Sequence, residues 1–410
     1  MCGLVAIVRP DGKTADPSTL ARMAGMIGHR GPDAEGSISV DNVDFYHKRL
    51  SIIDIETGAQ PGTVRPSQRG ETMKAFTYDD ILLVPSYNHW ESRKVVDISM
   101  RCKTGKLSLD LPLMTANMDT VTESNMANFI GGKGGIGVLH RFMPIEENVA
   151  MLKECQYPAF VSIGCAEIDL ERAEALRDAG ADLFCVDVAH AHARYVGRTL
   201  KRIRSMLGDS ACIMVGNVAS YAGADFLASC SADIIKVGIG GGSVCTTRIK
   251  TGFGVPNLTA IKNCTRVDRS VVADGGIRYP GDIVKALAFG ADFVMVGSML
   301  AGTRPTPGPV ISKKDESGQE VRVKTYRGMA SREVQDDYHG GLADWKTAEG
   351  VSTEVLYRED EDAIIGDIVG GLRSGLTYGG AATISELQRK LDYIEITPAG
   401  RTESLPHKIG

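Results

Sequence analysis

The fold class that the sequence predicts is α/β, built from repeated strand–helix units, and three observations support this prediction. Short apolar runs alternate with helix-length amphipathic segments from residue 111 onward. The runs are rich in Val and Ile, which is typical of strands buried on both faces. A local pattern also recurs as GADLFCVDV, SADIIKVGI and GADFVMVGS, starting at Gly180, Ser231 and Gly290. Repetition at such a spacing, about two strand–helix units each time, indicates a repeated architecture.

The number of apolar runs distinguishes between two α/β architectures. Eight runs occur, at Leu111–Met114, Ile136–Leu139, Phe160–Ile163, Leu183–Val186, Cys212–Val215, Ile234–Val237, Ser270–Ala273 and Phe293–Val296. Eight strands that alternate with helices favour a closed (β/α)8 barrel, the TIM barrel, over an open doubly wound sheet. On the pattern alone, the open sheet stays an alternative.

A polar stretch at 63–74, TVRPSQRGETMK, divides the chain into two unlike parts. It has no hydrophobic periodicity and is rich in residues that break secondary structure, so we interpret it as a linker. The barrel then occupies 75–410, and a small appendage occupies 1–62. A chain of 410 residues is long enough for this arrangement.

Composition and charge exclude several classes of function. The net charge of −5 gives no indication of a surface for nucleic acid. No apolar run approaches the roughly 20 residues that a membrane-spanning helix needs, and Met1–Pro10 do not resemble a signal peptide. Nine cysteines without a CxxC pair are typical of reduced thiols in a cytoplasmic protein. We therefore expect a cytoplasmic protein without nucleic-acid or membrane partners.

In a barrel of this kind, the catalytic residues lie on the loops that follow the strands. The loop after the sixth strand reads GIGGGSVCTTR, and its glycines allow the backbone to approach a ligand closely. Cys245 follows these glycines and is flanked by Ser243, Thr246 and Thr247. A thiol displayed in this way is suited to attack an electrophilic carbon. The alternative for Cys245 is a buried cysteine in a flexible loop. We interpret the other cysteines from Cys102 to Cys264 as packing residues.

Three further motifs follow predicted strands or lie beyond them. Asp274-Gly275-Gly276 and Gly297-Ser298 follow the seventh and eighth strands, where open backbone amides usually hold a phosphate. Asp274 can also accept hydrogen bonds from a ribose. Asp187-Val188-Ala189 follows the fourth strand, where Asp187 is suited to contact a cofactor, whereas the nearby histidines lack partners at metal-ligand spacing. Glu349 precedes a glycine in the segment 313–350, where a carboxylate could transfer a proton over the site.

These residues, in this order, resemble the IMP dehydrogenase and GMP reductase superfamily from about Phe76 to the C-terminus. The motifs that carry the resemblance are FTYDDILLVPS, PLMTANMDTVTE, GIGVLHRF, GIGGGSVCTTR, VADGGIR and YRGMAS. The resemblance implies that Cys245 forms a covalent bond with C2 of a purine nucleotide. It also implies that Thr247 and Glu349 move the proton of the leaving amine.

The resemblance assigns further residues to the nucleotide, the dinucleotide and an ion. The nucleotide would contact Ser243, Asp274, Gly275, Gly276, Gly297, Ser298, Gly328, Met329, Lys346 and Gly350. The dinucleotide, NADPH, would contact Asp187, Val188, Ala189, Ser92, Arg93, Arg141, Ile239, Gly240, Met329, Trp345, Ser374 and Thr377. A potassium site would map to carbonyl groups of Gly240, Gly242 and Cys245, with Arg248 nearby. The family is typically homotetrameric, so we expect a homotetramer.

Two features favour the reductase activity, in which GMP is converted to IMP and ammonia. Dehydrogenases of the family usually carry an inserted domain after the second strand, but only about twenty residues separate His140 from Phe160 here. Dehydrogenases also use a long flap with an Arg-Tyr pair to hydrolyse their intermediate, and no such pair lies between Ser331 and Glu349. The alternatives are an IMP dehydrogenase that forms XMP with NAD, which DVAHAHA and the C-terminal tail resemble, and a non-catalytic nucleotide-binding or scaffolding protein.

The N-terminal segment resembles another family, the class II glutamine amidotransferases. MCGLVAIVRP, HRGPDAEG and HKRLSIID carry this resemblance, which ends near Pro61. It implies that Cys2, exposed by removal of Met1, acts as a nucleophile with its own α-amino group as the base. The glutamine-binding and oxyanion-hole portions of that fold are missing from the segment, so we expect no glutaminase activity.

Overall fold

The computed structural model describes residues 3–8, 19, 34–40, 43–49 and 74–406, and the chain divides into two compact units, Met1–Lys74 and Ala75–Gly410. The first unit contains an antiparallel sheet in the order β1-β3-β2, formed by β1 (Gly3–Val8), β2 (Ala34–Val40) and β3 (Val43–Arg49). Cys2 and nearly all of the predicted linker lie outside the described residues.

The second unit is a closed barrel of eight parallel strands. Three short strands precede it: β4 (Ile81–Leu83), β5 (Met100–Arg101) and β6 (Ser108–Leu109). The barrel strands are β7 (Leu113–Thr115), β8 (Ile136–Leu139), β9 (Ala159–Ile163), β10 (Leu183–Asp187), β11 (Cys212–Val218), β12 (Ile234–Val237), β13 (Ser270–Asp274) and β14 (Phe293–Val296). Because β14 pairs with β7, the sheet closes, which confirms the barrel and excludes the open sheet.

Helices follow the barrel strands. They are α1 (Ser124–Gly131), α2 (Ile145–Lys153), α3 (Glu167–Asp178), α4 (Arg194–Leu207), α5 (Tyr221–Ser229), α6 (Thr247–Thr251), α7 (Asn257–Cys264) and α8 (Pro280–Ala288). All of them except the short α6, which has no buried residue, bury one face. In α4, Val196, Leu200 and Ile203 are fully buried at a spacing of four and three residues, which places them on one stripe of the helix. The arginines and lysines of α4 lie on its other faces.

The chain beyond β14 forms a small antiparallel sheet and then returns to the outside of the barrel. This sheet has the order β15 (Ile311–Lys314), β16 (Glu320–Arg327), β17 (Ser352–Leu356), and α9 (Arg332–His339) lies between its last two strands in sequence. The last elements are α10 (Glu361–Tyr378), α11 (Ile384–Arg389), β18 (Tyr393–Glu395) and α12 (Pro398–Glu403). α10 packs on α8, and β18 pairs with β4.

The strands and the helices that cover them bury large apolar side chains, of which Phe160, Phe184 and Phe293 are fully buried. Five of the cysteines that we interpreted as packing residues are buried as well: Cys102, Cys185, Cys212, Cys230 and Cys264. None of the described helices is both long and apolar enough to cross a bilayer.

Candidate active site

A cavity of about 860 Å³ lies at the end of the barrel where the strands finish. All four loop regions predicted from the sequence contribute to its wall, namely 238–252, 274–279, 297–298 and 313–350. The cavity is large enough for a nucleotide and part of a second ligand, since small-molecule sites commonly enclose about 300–1,000 Å³.

Cys245, Thr247 and Glu349 form a continuous chain of hydrogen bonds in the wall of this cavity. The Cys245 thiol donates to Thr247 Oγ1 over 3.2 Å, and the Thr247 hydroxyl donates to Glu349 Oε2 over 2.9 Å. All three side chains are partly exposed to the cavity. A proton can therefore pass between the sulfur and the carboxylate through one hydroxyl group.

The backbone explains how Glu349 reaches a thiol that is more than a hundred positions earlier in the sequence. Cys245 and Gly350 form an isolated antiparallel bridge. The Thr246 amide donates to the Glu349 carbonyl over 2.8 Å, and the Val351 amide donates to the Val244 carbonyl over 3.0 Å. These bonds attach the segment after α9 to the cysteine loop and fix the carboxylate above the thiol.

In a second part of the cavity wall, the hydrogen-bond donors are hydroxyl groups and backbone amides rather than basic side chains. Ser243 Oγ lies 3.1 Å from the hydroxyl of Tyr326. Among the described residues, no hydrogen bond uses the backbone amides of Gly276 or Ser298. Gly276, which lines the cavity, has φ of +75°, a conformation that glycine adopts at little cost. Free amides and hydroxyls that converge in this way are suited to a phosphate group.

The floor of the cavity carries a charged cluster whose centre is Lys236 on β12. Its ammonium group lies 2.7 Å from Asp187 Oδ1 and 3.2 Å from Asp274 Oδ2, and the whole residue is only 3% exposed. Asn217 donates to Asp274 Oδ2 over 2.8 Å and also to the Gly238 carbonyl. Lys236 therefore joins the carboxylate predicted to bind the cofactor to the carboxylate predicted to bind the ribose.

The charges of this floor cluster stabilise one another. Burial alone would raise the pKa of Asp187, but the ammonium of Lys236, together with Arg141 and a hydrogen bond from Asn117, holds that pKa below its ordinary value. Burial alone would lower the pKa of Lys236, whereas Asp187 and Asp274 outweigh it and raise that pKa. Lys236 and Asp187 are accordingly charged at neutral pH.

The cavity wall includes every residue that we predicted for catalysis or for the nucleotide. Of the residues predicted for the dinucleotide, it includes Asp187, Val188, Ala189, Arg141, Ile239, Gly240 and Met329. Ser92, Arg93, Trp345, Ser374 and Thr377 do not line it.

Four of these outlying residues lie where a 3-10 helix at Arg93–Val95 packs on α10. Ser92 and Arg93 are exposed there, Ser374 and Thr377 are partly buried, and Arg93 donates to Ser374 Oγ over 2.7 Å. Trp345 is 81% exposed and stacks with Lys346 rather than turning into the cavity. The assignment of these five residues to the dinucleotide stays a prediction.

Arg248, predicted near a potassium ion, instead binds the backbone of the cysteine loop. Its guanidinium donates to the carbonyls of Val255, over 2.8 Å, and Ile239, over 3.5 Å. A guanidinium has no lone pair for a metal, so Arg248 is a clamp for the loop and not a ligand. Gly242 already accepts a hydrogen bond from the Cys245 amide, while no hydrogen bond to the carbonyls of Gly240 or Cys245 is present in the described part of the chain.

Sequence reasoning missed several residues that line the cavity, above all Lys236, Asn217, Tyr195 and Cys165. Lys236 carried a signal, because a lysine in the middle of the apolar run SADIIKVGI is unusual for a strand buried on both faces. Cys165 was interpreted as a packing residue, but it lies in the cavity wall beside Tyr195, and burial raises the pKa of its thiol to about 11. No local pattern distinguished it from the other cysteines.

Comparison with known proteins agrees with this architecture. The model of the IMP dehydrogenase / GMP reductase domain matches residues 75–407, and a glutamine amidotransferase domain model matches residues 1–78. The inosine-5′-monophosphate dehydrogenase of Cryptosporidium parvum is 37% identical over 394 aligned residues, which cover 82% of this chain and 96% of that protein. GMP reductase 1 of Mus musculus is 35% identical over 337 residues, covering 79% and 96%.

Solved structures of both kinds are similar as well. The inosine 5′ monophosphate dehydrogenase of Legionella pneumophila is 67% identical with a TM-score of 0.73, and the match covers 80% of this chain and all of that one. A GMP reductase variant from Trypanosoma brucei, in complex with guanosine 5′-monophosphate, is 28% identical with a TM-score of 0.77, covering 84% and 100%. The chain therefore belongs to the IMP dehydrogenase/GMP reductase family of nucleotide oxidoreductases and carries an N-terminal segment similar to glutamine amidotransferases.

Proposed function

We propose that this chain oxidises IMP to XMP with NAD through a covalent adduct on Cys245. The observation that carries the proposal is the chain of hydrogen bonds from Cys245 through Thr247 to Glu349, next to the phosphate-binding part of the cavity. The direction of the reaction rests on the 67% identity to a protein described as an IMP dehydrogenase. That identity is much higher than the 28% and 35% found for the reductases compared above.

The nucleotide would bind with its phosphate on Ser243, Gly276 and Ser298 and its ribose on Asp274. Gly275, Gly297, Gly328, Met329, Lys346 and Gly350 would complete its contacts. One atom in the wall supports a polar ligand directly: Asn217 Oδ1 is buried and has no hydrogen-bond partner among the described residues. A buried acceptor without a partner is costly, and a donor on the ligand would satisfy it.

The proton chain accounts for both halves of the reaction. The thiol proton passes through Thr247 toward Glu349, and the sulfur adds to C2 of the purine. The hydride then leaves C2, so that a thioimidate remains on Cys245. Glu349 then releases the thiol proton to solvent, which restores its carboxylate. The carboxylate takes a proton from water, the hydroxide oxygen adds to C2, and the carbon–sulfur bond breaks to release XMP. The thiolate regains its proton from Glu349 through Thr247.

A nicotinamide dinucleotide would supply the acceptor for the hydride. Asp187, Val188, Ala189, Ile239, Gly240, Met329 and Arg141 would hold it, and these residues fit because they line the same cavity as Cys245. The chemistry of this wall suits a polar ligand, since it combines a carboxylate, a guanidinium and apolar side chains.

We also propose potassium as a ligand of the cysteine loop. The carbonyl oxygens of Gly240 and Cys245, and the remaining lone pair of Gly242, provide hard oxygen donors of the kind that alkali and alkaline-earth cations prefer. A cation there would hold the loop in the conformation that presents the thiol.

GMP reduction with NADPH is the second candidate, and the segment after Ser331 favours it. The stretch of about twenty residues between His140 and Phe160, which is too short for an inserted domain, favours it as well. The structure places Arg327 of β16 against Tyr338 of the segment after Ser331, but Arg327 is bound by Asp119 and Asp337, each within 2.7 Å. An arginine held by two carboxylates cannot act as a base.

Two parallel assays on the full-length protein test the proposal. IMP with NAD should increase the absorbance of the reduced nicotinamide and yield XMP, identified by chromatography. GMP with NADPH should give little oxidation and little ammonia. Ammonia released in proportion to NADPH oxidation, without XMP in the first assay, would overturn the dehydrogenase in favour of the reductase. Binding of both nucleotides without turnover in either assay would support a non-catalytic protein.

A further inference from the structure

A second groove lies on the outer side of the barrel, between α4 and α5. It encloses about 350 Å³ and is lined by His192, Ala193, Arg194, Gly197, Arg198, Lys201, Phe226 and Cys230. It is separate from the main cavity, although both share one loop: residues 187–189 of that loop line the main cavity, and residues 192–193 line this groove.

Three cations of α4 face this groove. Arg194, Arg198 and Lys201 recur at intervals of four and three residues, which places them on one face of the helix. All three are exposed, and no carboxylate of the described residues lines the groove. The positive charge is therefore concentrated and not neutralised locally.

The other two arginines of α4, in contrast, are paired with carboxylates. Arg202 pairs with Glu167 over 2.6 Å, and Arg204 pairs with Asp233. Arg194, Arg198 and Lys201 have no ion pair or side-chain hydrogen bond with any described residue. Arg194 also occupies the first turn of α4, which contains no acidic residue, so that its charge opposes the helix dipole. The charge of Arg194 therefore does not stabilise the helix, and an anion bound in the groove would offset its repulsion by the helix dipole.

The floor of the groove is apolar and closely packed. A Cβ atom at Gly197 would lie 2.6 Å from the Phe226 ring and 3.1 Å from the sulfur of Cys230, so only glycine lets α5 approach α4 this closely. The Phe226 ring lies 5.4 Å from the imidazole of His192, measured between centroids. The groove thus combines an aromatic edge with a row of cations.

We propose that this groove binds a diphosphate group, either free as pyrophosphate or carried by a nucleoside polyphosphate such as ATP. Two arginines and a lysine match the charge and the acceptor oxygens of such a group. The volume suffices for the phosphates with part of a carrier, and His192 and Phe226 offer a surface for a base. The site is independent of the reaction proposed for the main cavity.

The test is a calorimetric titration of the full-length protein with pyrophosphate and, separately, with ATP. Saturating IMP or GMP is present throughout, so that the phosphate-binding part of the main cavity is filled. The groove variant is the double substitution Arg198→Ala with Lys201→Ala. The matched control is Arg202→Ala with Lys262→Ala, which also removes one arginine and one lysine from exposed helix positions outside the groove.

We expect the groove variant to bind either probe about tenfold more weakly or worse, because two charge-assisted contacts are lost, while the control matches the wild type. Tighter binding of ATP than of pyrophosphate would show that the base contributes, and equal binding would assign the site to the phosphates alone. Absence of binding to the wild type, or equal weakening in both double variants, would overturn the proposal.

A second measurement needs no variant. An acyl-phosphate derivative of ATP, which acylates lysines close to the bound phosphates, should modify Lys201 in the wild type, as detected by mass spectrometry of the peptides. Excess pyrophosphate should suppress this modification. Modification of Lys262 to the same extent as Lys201 would show that the groove does not concentrate the probe.

Discussion

The thiol side of the cavity and its charged floor are built in opposite ways. Cys245, Thr247 and Glu349 lie on loops or at the start of a short helix, remain partly exposed, and are joined by hydrogen bonds. Lys236 and Asp187, in contrast, project from barrel strands and are joined by an ion pair at 2.7 Å. The thiol side must be reached by substrate and water, whereas the floor must stay in place.

The contrast indicates where a hydrogen-bonded proton relay is useful and where a buried ion pair is useful. A proton relay needs groups that can change protonation and adjust their position, which loops allow. An ion pair in the interior is worth most when both partners are fixed and desolvated, and it becomes strongly unfavourable when one partner is removed. Substitutions on the two sides should therefore fail in different ways.

The largest effect is expected for Cys245→Ser. Because serine is a far weaker nucleophile, turnover should fall by about 10⁴-fold or more, while nucleotide affinity should stay within about threefold. The measurements are steady-state rates and calorimetric binding of IMP and GMP. Cys165→Ser is the matched control in the same cavity wall and should keep most of the wild-type rate. Substantial turnover by Cys245→Ser would remove the sulfur from the mechanism.

Glu349→Gln should come next, with a loss of about 10²–10³ in kcat, because an amide cannot accept or relay the proton. Binding of the nucleotide should persist, since the Thr246 amide bonds to the Glu349 backbone carbonyl and not to its side chain. Glu354→Gln on β17, an exposed glutamate that pairs with Lys313, is the control. If both variants turn over alike, Glu349 is not the base.

Lys236→Met should reduce kcat/KM by about 10- to 100-fold and weaken the binding of both nucleotide and dinucleotide. The reason is that Asp187 at the dinucleotide subsite and Asp274 at the nucleotide subsite then both lose their cation. Lys236→Arg should restore part of this loss. Lys324→Met is the control, since Lys324 is a buried lysine that binds the carbonyls of Thr303 and Thr306 away from the cavity. A change in only one of the two KM values would contradict the role of Lys236 as a bridge.

The same variant should invert a pH dependence of stability. In the wild type, the pKa of Asp187 is held below its ordinary value of 3.8, so the stabilisation is present at neutral pH and is lost only as the pH falls through that lowered pKa. Without the ammonium, burial raises the pKa of Asp187, and stability should then decrease as the pH rises through 3.8 and above. Thermal unfolding of both proteins at about pH 4.5 and about pH 7 measures the difference. A parallel pH dependence in the two proteins would contradict the ion pair.

The smallest effect is expected for Ser374→Ala. Ser374 accepts a hydrogen bond from Arg93 on the outside of the barrel and does not line the cavity, so the KM for the dinucleotide should change by less than about threefold. Arg141→Ala, which removes a guanidinium from the cavity wall, should raise the KM for the dinucleotide by a larger factor. A tenfold or greater rise for Ser374→Ala would show that the outlying cluster does reach a dinucleotide.

Some of these features could be predicted from local sequence because they depend on short-range physics. The eight apolar runs predicted the barrel strands nearly residue by residue, since a strand buried on both faces needs a continuous apolar segment. The glycines before Cys245 likewise marked a loop that displays a thiol. The choice between sibling activities could not be made in this way, because dehydrogenases and reductases match the same barrel at similar identity, 37% and 35% for two curated relatives.

The sequence by itself determined the elements, their order and the candidate nucleophile, because hydrophobic periodicity and glycine content are local properties. Only the tertiary structure decided which distant groups meet. Glu349 reaches Cys245 through a backbone bridge between two loops, and Lys236 on β12 meets Asp187 on β10 over Gly216 of the strand between them. Barrel closure also placed Ser92 and Arg93 outside, on α10, rather than in the cavity. Such contacts depend on how strands and loops are brought together in space, and no spacing along the chain encodes that distance.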